Sequence, residues 1–204
     1  MRPGVTGSRR PLEGVVLARH GETDDNLDPL RFQGFTDTPL NDTGRAQAAA
    51  LAQRLADADP PGSLWPSGPG ARSLWTSDLR RAAETASIVG ARLGLEPRPD
   101  ARLREASRGR WEGYTFAEIE RDEPELYAQW REAPAQWRFP GGESLLEQQQ
   151  RVTEALTAIH ADGELPALVV CHGGSIRVML CAADPRGLAA FHDFDVPNVA
   201  VVPL

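Results

Sequence analysis

Histidine and arginine side chains follow three apolar segments of this sequence, close to the point where each segment ends. The segments are residues 15–18, 73–76 and 168–171, and the side chains that follow them are Arg19, His20, Arg81 and His172. Arginine makes two-pronged contacts to phosphoryl oxygens and stays charged at physiological pH. A neutral imidazole can act as a nucleophile. The combination indicates a site that binds a phosphoryl group and attacks it with histidine.

Glycines accompany these side chains and favour the same interpretation. Gly21, Gly173 and Gly174 allow backbone N–H groups to approach a ligand closely, and a helix that begins there adds a favourable dipole. The chain has a formal net charge of −7, which argues against nucleic acid and anionic membranes as partners. A cationic cluster in an acidic chain is therefore best explained by a small anionic ligand.

His20 is the candidate nucleophile, and Glu105 is the candidate proton donor for the leaving alkoxide. Arg19 and Arg81 disfavour protonation of a neighbouring imidazole, and a backbone carbonyl would fix its tautomer. A bound phosphate dianion would raise the pKa of Glu105, whereas the arginines would lower it. The alternative for Glu105 is that it only neutralises a neighbouring arginine.

Strand-like and helix-like segments alternate along the chain. The predicted helices are residues 43–57, 77–93, 144–161 and 173–181, with Ser77 as the cap of the second, and two shorter helices are capped by Thr115 and Asp122. Residues 198–202 are the predicted last strand. This alternation predicts an α/β fold, a single-domain three-layer α/β/α sandwich with a mostly parallel sheet. Ligands of such sheets bind beyond the carboxyl ends of the strands.

The predicted organisation is one domain, residues 14–204, after a leader, residues 1–13, that we expect to be disordered. The leader contains arginines but no apolar stretch, so it does not resemble a secretory signal. No apolar run approaches the length that spans a bilayer. Cys171 and Cys181 lie in apolar surroundings typical of reduced thiols, which favours a cytoplasmic protein. The oligomeric state is left open, and a homodimer is compatible with the sequence.

A series of motifs runs through nearly the whole chain after the leader. It comprises Arg19-His20-Gly21-Glu22-Thr23, Ser77-Asp78-Leu79-Arg80-Arg81, Leu103-Arg104-Glu105, Gly109-Arg110-Trp111-Glu112-Gly113 and His172-Gly173-Gly174. The series resembles the signature of the histidine phosphatases, the phosphoglycerate-mutase-like superfamily, in the branch that carries the Arg-His-Gly motif. The order and number of the matches make this resemblance highly specific.

The resemblance implies a role for each matching residue. His20 would be the phosphorylated nucleophile and Glu105 the proton donor. The residues that would bind the phosphoryl oxygens are Arg19, Asn26, Arg81, His172 and Gly173. The resemblance also implies that no metal and no cofactor takes part.

Three departures from the related mutases favour hydrolysis. Ala106-Ser107-Arg108 stands where mutases carry Arg-His-Tyr, Arg131-Glu132 where they carry an Arg-Arg pair, and His172-Gly173-Gly174-Ser175 where they carry His-Gly-Asn-Ser. The predicted function is therefore a phosphomonoesterase for a small phosphorylated metabolite. Residues 106–145 form the predicted lid-like insertion, and they resemble the lids of small-molecule phosphatases. The leaving group cannot be deduced from the sequence.

Three alternatives stay open at this point. One is a cofactor-dependent phosphoglycerate mutase. Another is a metal-dependent phosphatase that uses His20, Glu22 and His172 as ligands. A third is a catalytically inert protein that binds phosphoryl groups on the same fold.

Overall fold

The computed structural model describes residues 12–57, 65 and 70–204. Residues 1–11 of the predicted leader lie outside this part of the chain. Residues 12–14 form a turn, in which Leu12 packs against the core. In the described ranges, no helix combines the length and the apolar composition needed to cross a membrane.

Five strands form one sheet with the order β3-β2-β4-β1-β5. The strands are β1 (Val15–Arg19), β2 (Ser73–Thr76), β3 (Pro97–Pro99), β4 (Ala167–Cys171) and β5 (Val201–Pro203). The first four are parallel to their neighbours, and β5 pairs antiparallel with β1 at one edge. The predicted strand at residues 198–202 is thus shifted towards the end of the chain. The predicted mostly parallel sheet is confirmed.

Helices cover both faces of the sheet. They are α1 (Asp42–Asp57), α2 (Arg80–Leu93), α3 (Phe116–Asp122), α4 (Pro124–Glu132), α5 (Leu145–Asp162) and α6 (Gly173–Ala183). Alternate β1 side chains point to opposite faces, so Val16 joins the core beneath α1 and α2, while Leu17 joins the core beneath α5 and α6. This is the predicted three-layer sandwich.

The helix ends agree with the sequence in some places and differ in others. Thr115 caps α3 as predicted, through a capping box with Glu118. Ser77 does not cap α2, because the helix begins only at Arg80 and Leu79, in an extended conformation, occupies the cap position. Asp122 is the last residue of α3, and α4 begins at Pro124 because a proline fits the first position of a helix.

An aromatic cluster attaches residues 106–145 to the rest of the domain. Trp111 is fully buried, and its ring centroid lies 5.1 Å from the centroids of Phe32 and Trp137. The cluster continues onto α6 through Val178 and Cys181. Burial of rings this large contributes strongly to stability, so the predicted lid is packed onto the domain.

The parallel strands end at one edge of the sheet. Arg19 pairs in register with Cys171, and Thr76 pairs with Val170. The residues that follow β1, β2 and β4 therefore leave the sheet at the same edge, which is where the sequence predicts the ligand.

Two glycines allow the loop after β1 to lie directly against α1. A Cβ added to Gly21 would collide with the backbone of Gly44, and one added to Gly44 would collide with the carbonyl oxygen of Glu22. The close approach fixes the position of the loop that begins with His20.

We expect Gly44→Ala to destabilise the fold by about 1–3 kcal/mol, because the added methyl group pushes the loop away from α1. Urea unfolding measures this change. The matched control is Ala49→Ser, which adds one atom to an exposed position of the same helix. An unchanged unfolding midpoint in Gly44→Ala would show that the loop tolerates displacement.

Candidate active site

The backbone of His20 is held on both sides. Its N–H donates to the carbonyl of Cys171 at 3.0 Å. Its carbonyl accepts from the N–H of Val199 at 3.3 Å and from Nδ2 of Asn198 at 3.1 Å. The residue is 3% exposed, so its ring has a fixed place at the end of β1.

The imidazole of His20 has the state that a nucleophile requires. Nδ1 lies 2.7 Å from the carbonyl oxygen of Gly21. A carbonyl only accepts, so Nδ1 carries the proton and Nε2 keeps its lone pair. Burial holds the pKa of His20 well below its ordinary value, and the charges of Arg81 and Arg19 lower it further. His20 is therefore neutral at neutral pH.

His172 lies beside His20, with ring centroids 5.2 Å apart. Its Nε2 is 2.8 Å from Oγ of Ser77, which accepts from the N–H of Leu79 at 3.3 Å. The hydroxyl hydrogen of Ser77 is then free to point at Nε2, which leaves the ring proton on Nδ1. Burial, Arg81 and His20 lower the pKa of His172, so it is a neutral donor. Its Nδ1 is buried without a partner among the described residues.

Arg19 and Arg81 are anchored by carbonyl oxygens and keep further donors unpaired. Arg81 donates to the carbonyls of Thr36 and Gly34, both at 2.8 Å, and Arg19 donates to Val196 at 2.6 Å. The Nε of each arginine is buried without an acceptor in the described part of the chain. Burial lowers the pKa of each to about 10, so both stay charged at neutral pH.

A cavity of about 290 Å³ opens at this edge of the sheet. Of the residues predicted to bind or transfer phosphate, it is lined by Arg19, His20, Asn26, Arg81, Glu105 and Gly173. His172 does not line the cavity itself, but its ring lies beside that of His20. Unpaired donors on Arg19, Arg81 and His172 therefore lie near a neutral imidazole, which suits a tetrahedral oxyanion.

Asn26 and Gly173 are also placed to serve a ligand. Oδ1 of Asn26 accepts from the N–H of Thr23 at 3.1 Å and from Nδ2 of Asn198 at 3.2 Å. Its amide NH2 is then the group that it can offer to an anion. Gly173 is the first residue of α6, where backbone N–H groups and the helix dipole favour negative charge.

Glu105 is buried and ionised in the free protein. Its carboxylate accepts from the N–H of Ala106 and of Gly174, both at 2.9 Å, and from Nε2 of Gln148 at 2.8 Å. Burial raises the pKa of Glu105, but the charge of Arg108 and these hydrogen bonds outweigh it and lower the pKa to about 2. As a proton donor, Glu105 must therefore gain its proton when substrate is bound.

Several residues that support the site were not predicted for that role. Gln148 is fully buried, and it falls on the apolar face of α5 with Leu145 and Val152. A polar residue at that spacing is a signal that the sequence offered. Gly174 has space only for hydrogen, because a Cβ there would collide with the carboxylate of Glu105. The contact between Ser77 and His172 joins residues that follow different strands, so the local sequence gives no sign of it.

The structure also tests whether the described residues could form a metal site. In residues 12–57, 65 and 70–204, no three His, Cys, Asp or Glu side chains are grouped so that they could hold a metal ion. Glu22 accepts from Nδ2 of Asn41 at 3.0 Å, and its N–H donates to Gln47 at 2.8 Å. Glu22 thus ties the loop after β1 to the start of α1.

Known proteins of similar sequence and structure include phosphatases and phosphoglycerate mutase-like proteins. A glucosyl-3-phosphoglycerate phosphatase from Mycobacterium tuberculosis is 37% identical over 177 residues, which cover 82% of this chain and 74% of the relative. The phosphoglycerate mutase-like protein 4 from Arabidopsis thaliana is 36% identical over 176 residues, which cover 84% and 71%. A solved mycobacterial glucosyl-3-phosphoglycerate phosphatase in complex with VO3 superposes with a TM-score of 0.78 at 34% identity, over 92% of this chain and 88% of that one.

The sequence model of the histidine phosphatase superfamily, branch 1, matches residues 15–204. Together these findings confirm the predicted family, the predicted fold class and the phosphatase class of activity. The chain therefore belongs to branch 1 of the histidine phosphatase superfamily.

Proposed function

We propose that this chain is a phosphomonoesterase that hydrolyses a small phosphorylated metabolite through a phosphohistidine on His20. The proposal rests on the neutral ring of His20. Its Nε2 is free and basic, and the unpaired donors of Arg19, Arg81 and His172 lie nearby. A relative solved in complex with VO3 supports the binding of an oxyanion.

The first half-reaction forms the phosphoenzyme. Arg19, Arg81, His172, Asn26 and the N–H of Gly173 bind the phosphoryl oxygens. Nε2 of His20 attacks phosphorus, and the bond between phosphorus and the ester oxygen breaks. The leaving alkoxide takes a proton from Glu105, and the phosphoryl group stays on the imidazole.

The catalytic proton has to arrive with the substrate. Glu105 has a pKa of about 2 in the free protein, so it carries no proton at neutral pH. A phosphomonoester has a second pKa of about 6, and its monoanion brings the proton that is needed. Transfer to Glu105 leaves a phosphoryl dianion bound to the arginines, and that charge raises the pKa of the carboxyl.

The second half-reaction releases phosphate. Water attacks the phosphohistidine, the ionised Glu105 accepts its proton, and the P–N bond to His20 breaks. The proposal of hydrolysis rests on the departures from the mutase motifs at residues 106–108, 131–132 and 172–175. The second candidate, a phosphoglycerate mutase, is favoured by the 36% identity to a relative named as mutase-like.

The relatives suggest which substrates to test first. Glucosyl-3-phosphoglycerate is the substrate named for the relative that is 37% identical, so we propose it as the first candidate. A panel with 3-phosphoglycerate, with and without 2,3-bisphosphoglycerate, separates phosphate release from isomerisation.

Cys171 and Cys181 are buried free thiols, which supports a cytoplasmic location.

We expect His20→Ala to lower kcat for p-nitrophenyl phosphate by about four orders of magnitude or more, because no other group can carry the phosphoryl. Rapid-quench trapping should yield an acid-labile phosphoenzyme in the wild type and none in the variant. His160→Ala, on α5, is the control and should keep its activity. Equal phosphoenzyme in wild type and His20→Ala would assign the nucleophile elsewhere.

The pH dependence of kcat/KM should be that of an acid phosphatase. His20 stays neutral down to low pH because its pKa is well below the ordinary value. The required proton is lost as pH rises through the second substrate pKa of about 6, so kcat/KM for an alkyl phosphate should fall roughly tenfold per unit above it. A profile that rises from pH 6 to pH 8 would contradict the proposed source of the proton.

Glu105→Gln should discriminate between leaving groups. The amide has the shape of the carboxylate but only one acceptor oxygen, so it keeps only one of the contacts with the N–H groups of Ala106 and Gly174 and supplies no acidic proton. We expect kcat for an alkyl phosphate to fall by about 100-fold or more, and kcat for p-nitrophenyl phosphate to fall much less. Equal losses on both substrates would show that Glu105 has a structural role only.

A further inference from the structure

The cavity holds more positive charge than one phosphoryl group requires. Six arginines line it, namely Arg19, Arg31, Arg81, Arg108, Arg131 and Arg177, and the two carboxylates on its wall are Asp25 and Glu105. Arg19 and Arg81 balance the two charges of a phosphoryl dianion. The other four arginines remain for the rest of the substrate, which is the leaving group.

Arg108 is the most unusual of these arginines. It is 9% exposed, and its guanidinium carbon lies 4.4 Å from the ring centroid of Phe139, which fixes its plane. Nη2 is 3.4 Å from Oε1 of Glu105, but Nη1 is buried without an acceptor among the described residues. A buried charged donor without a partner is costly, so its presence points to a ligand.

Arg177 adds a second guanidinium to the wall of the same cavity. It lies on α6, where its Nε donates to the carbonyl of Phe194 at 2.9 Å and its carbon is 5.8 Å from the ring centroid of Phe191. Its two terminal nitrogens make no hydrogen bond with the described residues. Burial lowers the pKa of Arg108, and the charge of Arg177 lowers it further, whereas Glu105 raises it.

We propose that Arg108 and Arg177 form a second anion subsite, which binds an acidic group of the leaving group close to the ester oxygen. The inference rests on the proposed phosphatase function and narrows its substrates to phosphomonoesters that carry a second negative charge. A carboxylate and a second phosphate share this chemistry, because both accept two parallel N–H bonds from a guanidinium.

The same subsite connects substrate binding with Glu105. Arg108 faces the carboxylates of Glu105, Glu112 and Glu143 and the cation of Arg177. An anion bound to Arg108 competes for the guanidinium that now pairs with Glu105, and its own charge disfavours the ionised carboxyl. A leaving group with an acidic substituent thus helps Glu105 to hold the proton that the reaction requires.

The test uses three substrates that differ at the end of the leaving group. 3-Phosphoglycerate carries a carboxylate where glycerol 3-phosphate carries a hydroxymethyl group, and glycerol 1,3-bisphosphate carries a second phosphate at that end. We expect the wild type to prefer one of the anionic substrates over glycerol 3-phosphate by roughly tenfold to a hundredfold in kcat/KM, in line with hydrogen bonds to charged groups. Which anionic substrate is preferred identifies the acidic group.

Variants of Arg108 and Arg177 test whether these two residues cause the preference for an anionic substrate. Arg108→Leu and Arg177→Met should each reduce the preference to less than about threefold. Arg108→Lys should recover part of it, because the charge remains but the two-pronged contact is lost. The control is Arg110→Leu, an exposed arginine of the same segment that pairs with Glu123, and it should keep the wild-type preference.

Calorimetric binding of 3-phosphoglycerate and glycerol 3-phosphate to the His20→Ala protein measures the same difference without turnover. If Arg108→Leu is unstable, Arg177→Met still tests the subsite, because this substitution leaves the stacking of Arg108 on Phe139 in place. Equal affinities for the two ligands, or a wild-type preference that survives in Arg177→Met, would overturn the subsite. Absence of turnover for every phosphomonoester, despite a clear difference in affinity, would instead overturn the proposed function.

Discussion

The hydrogen bond from Nδ1 of His20 to the carbonyl of Gly21 determines what the rest of the site can do. It places the single ring proton away from Nε2, and burial beside Arg19 and Arg81 prevents a second proton from binding. The same arginines that we propose as ligands of the phosphoryl group therefore also keep the proposed nucleophile neutral. A less cationic site would bind phosphate more weakly and would lose part of its nucleophile to protonation.

This arrangement lowers the stability of the free protein. Buried donors on Arg19, Arg81 and His172 have no partner in the described part of the chain, and each unpaired donor opposes folding. The parallel sheet holds them because β1 and β4 are fully enclosed between two helical layers. A bound phosphoryl group offers acceptors to all three donors, so binding of phosphate and stability of the fold are linked.

Much of this could be predicted from the sequence, because the strongest signals are local. Apolar runs, helix periodicity and the residues after each strand placed His20 and its partners at one edge of the sheet. The edge strand Pro97–Pro99 escaped prediction, since two prolines in three residues are typical of a loop. The contacts of Ser77 and the unpaired nitrogen of Arg108 depend on elements that are distant along the chain, so only the folded structure shows them.

The proposed chemistry requires a neutral His20 with its proton on Nδ1, and nitrogen NMR of the imidazole measures this state most directly. With the ring nitrogens labelled, the free enzyme should show the Nδ1–H tautomer of His20 throughout the range from pH 5 to pH 8, with no titration. A His20 that titrates near the ordinary histidine pKa of about 6.5, or that carries its proton on Nε2, would contradict the account.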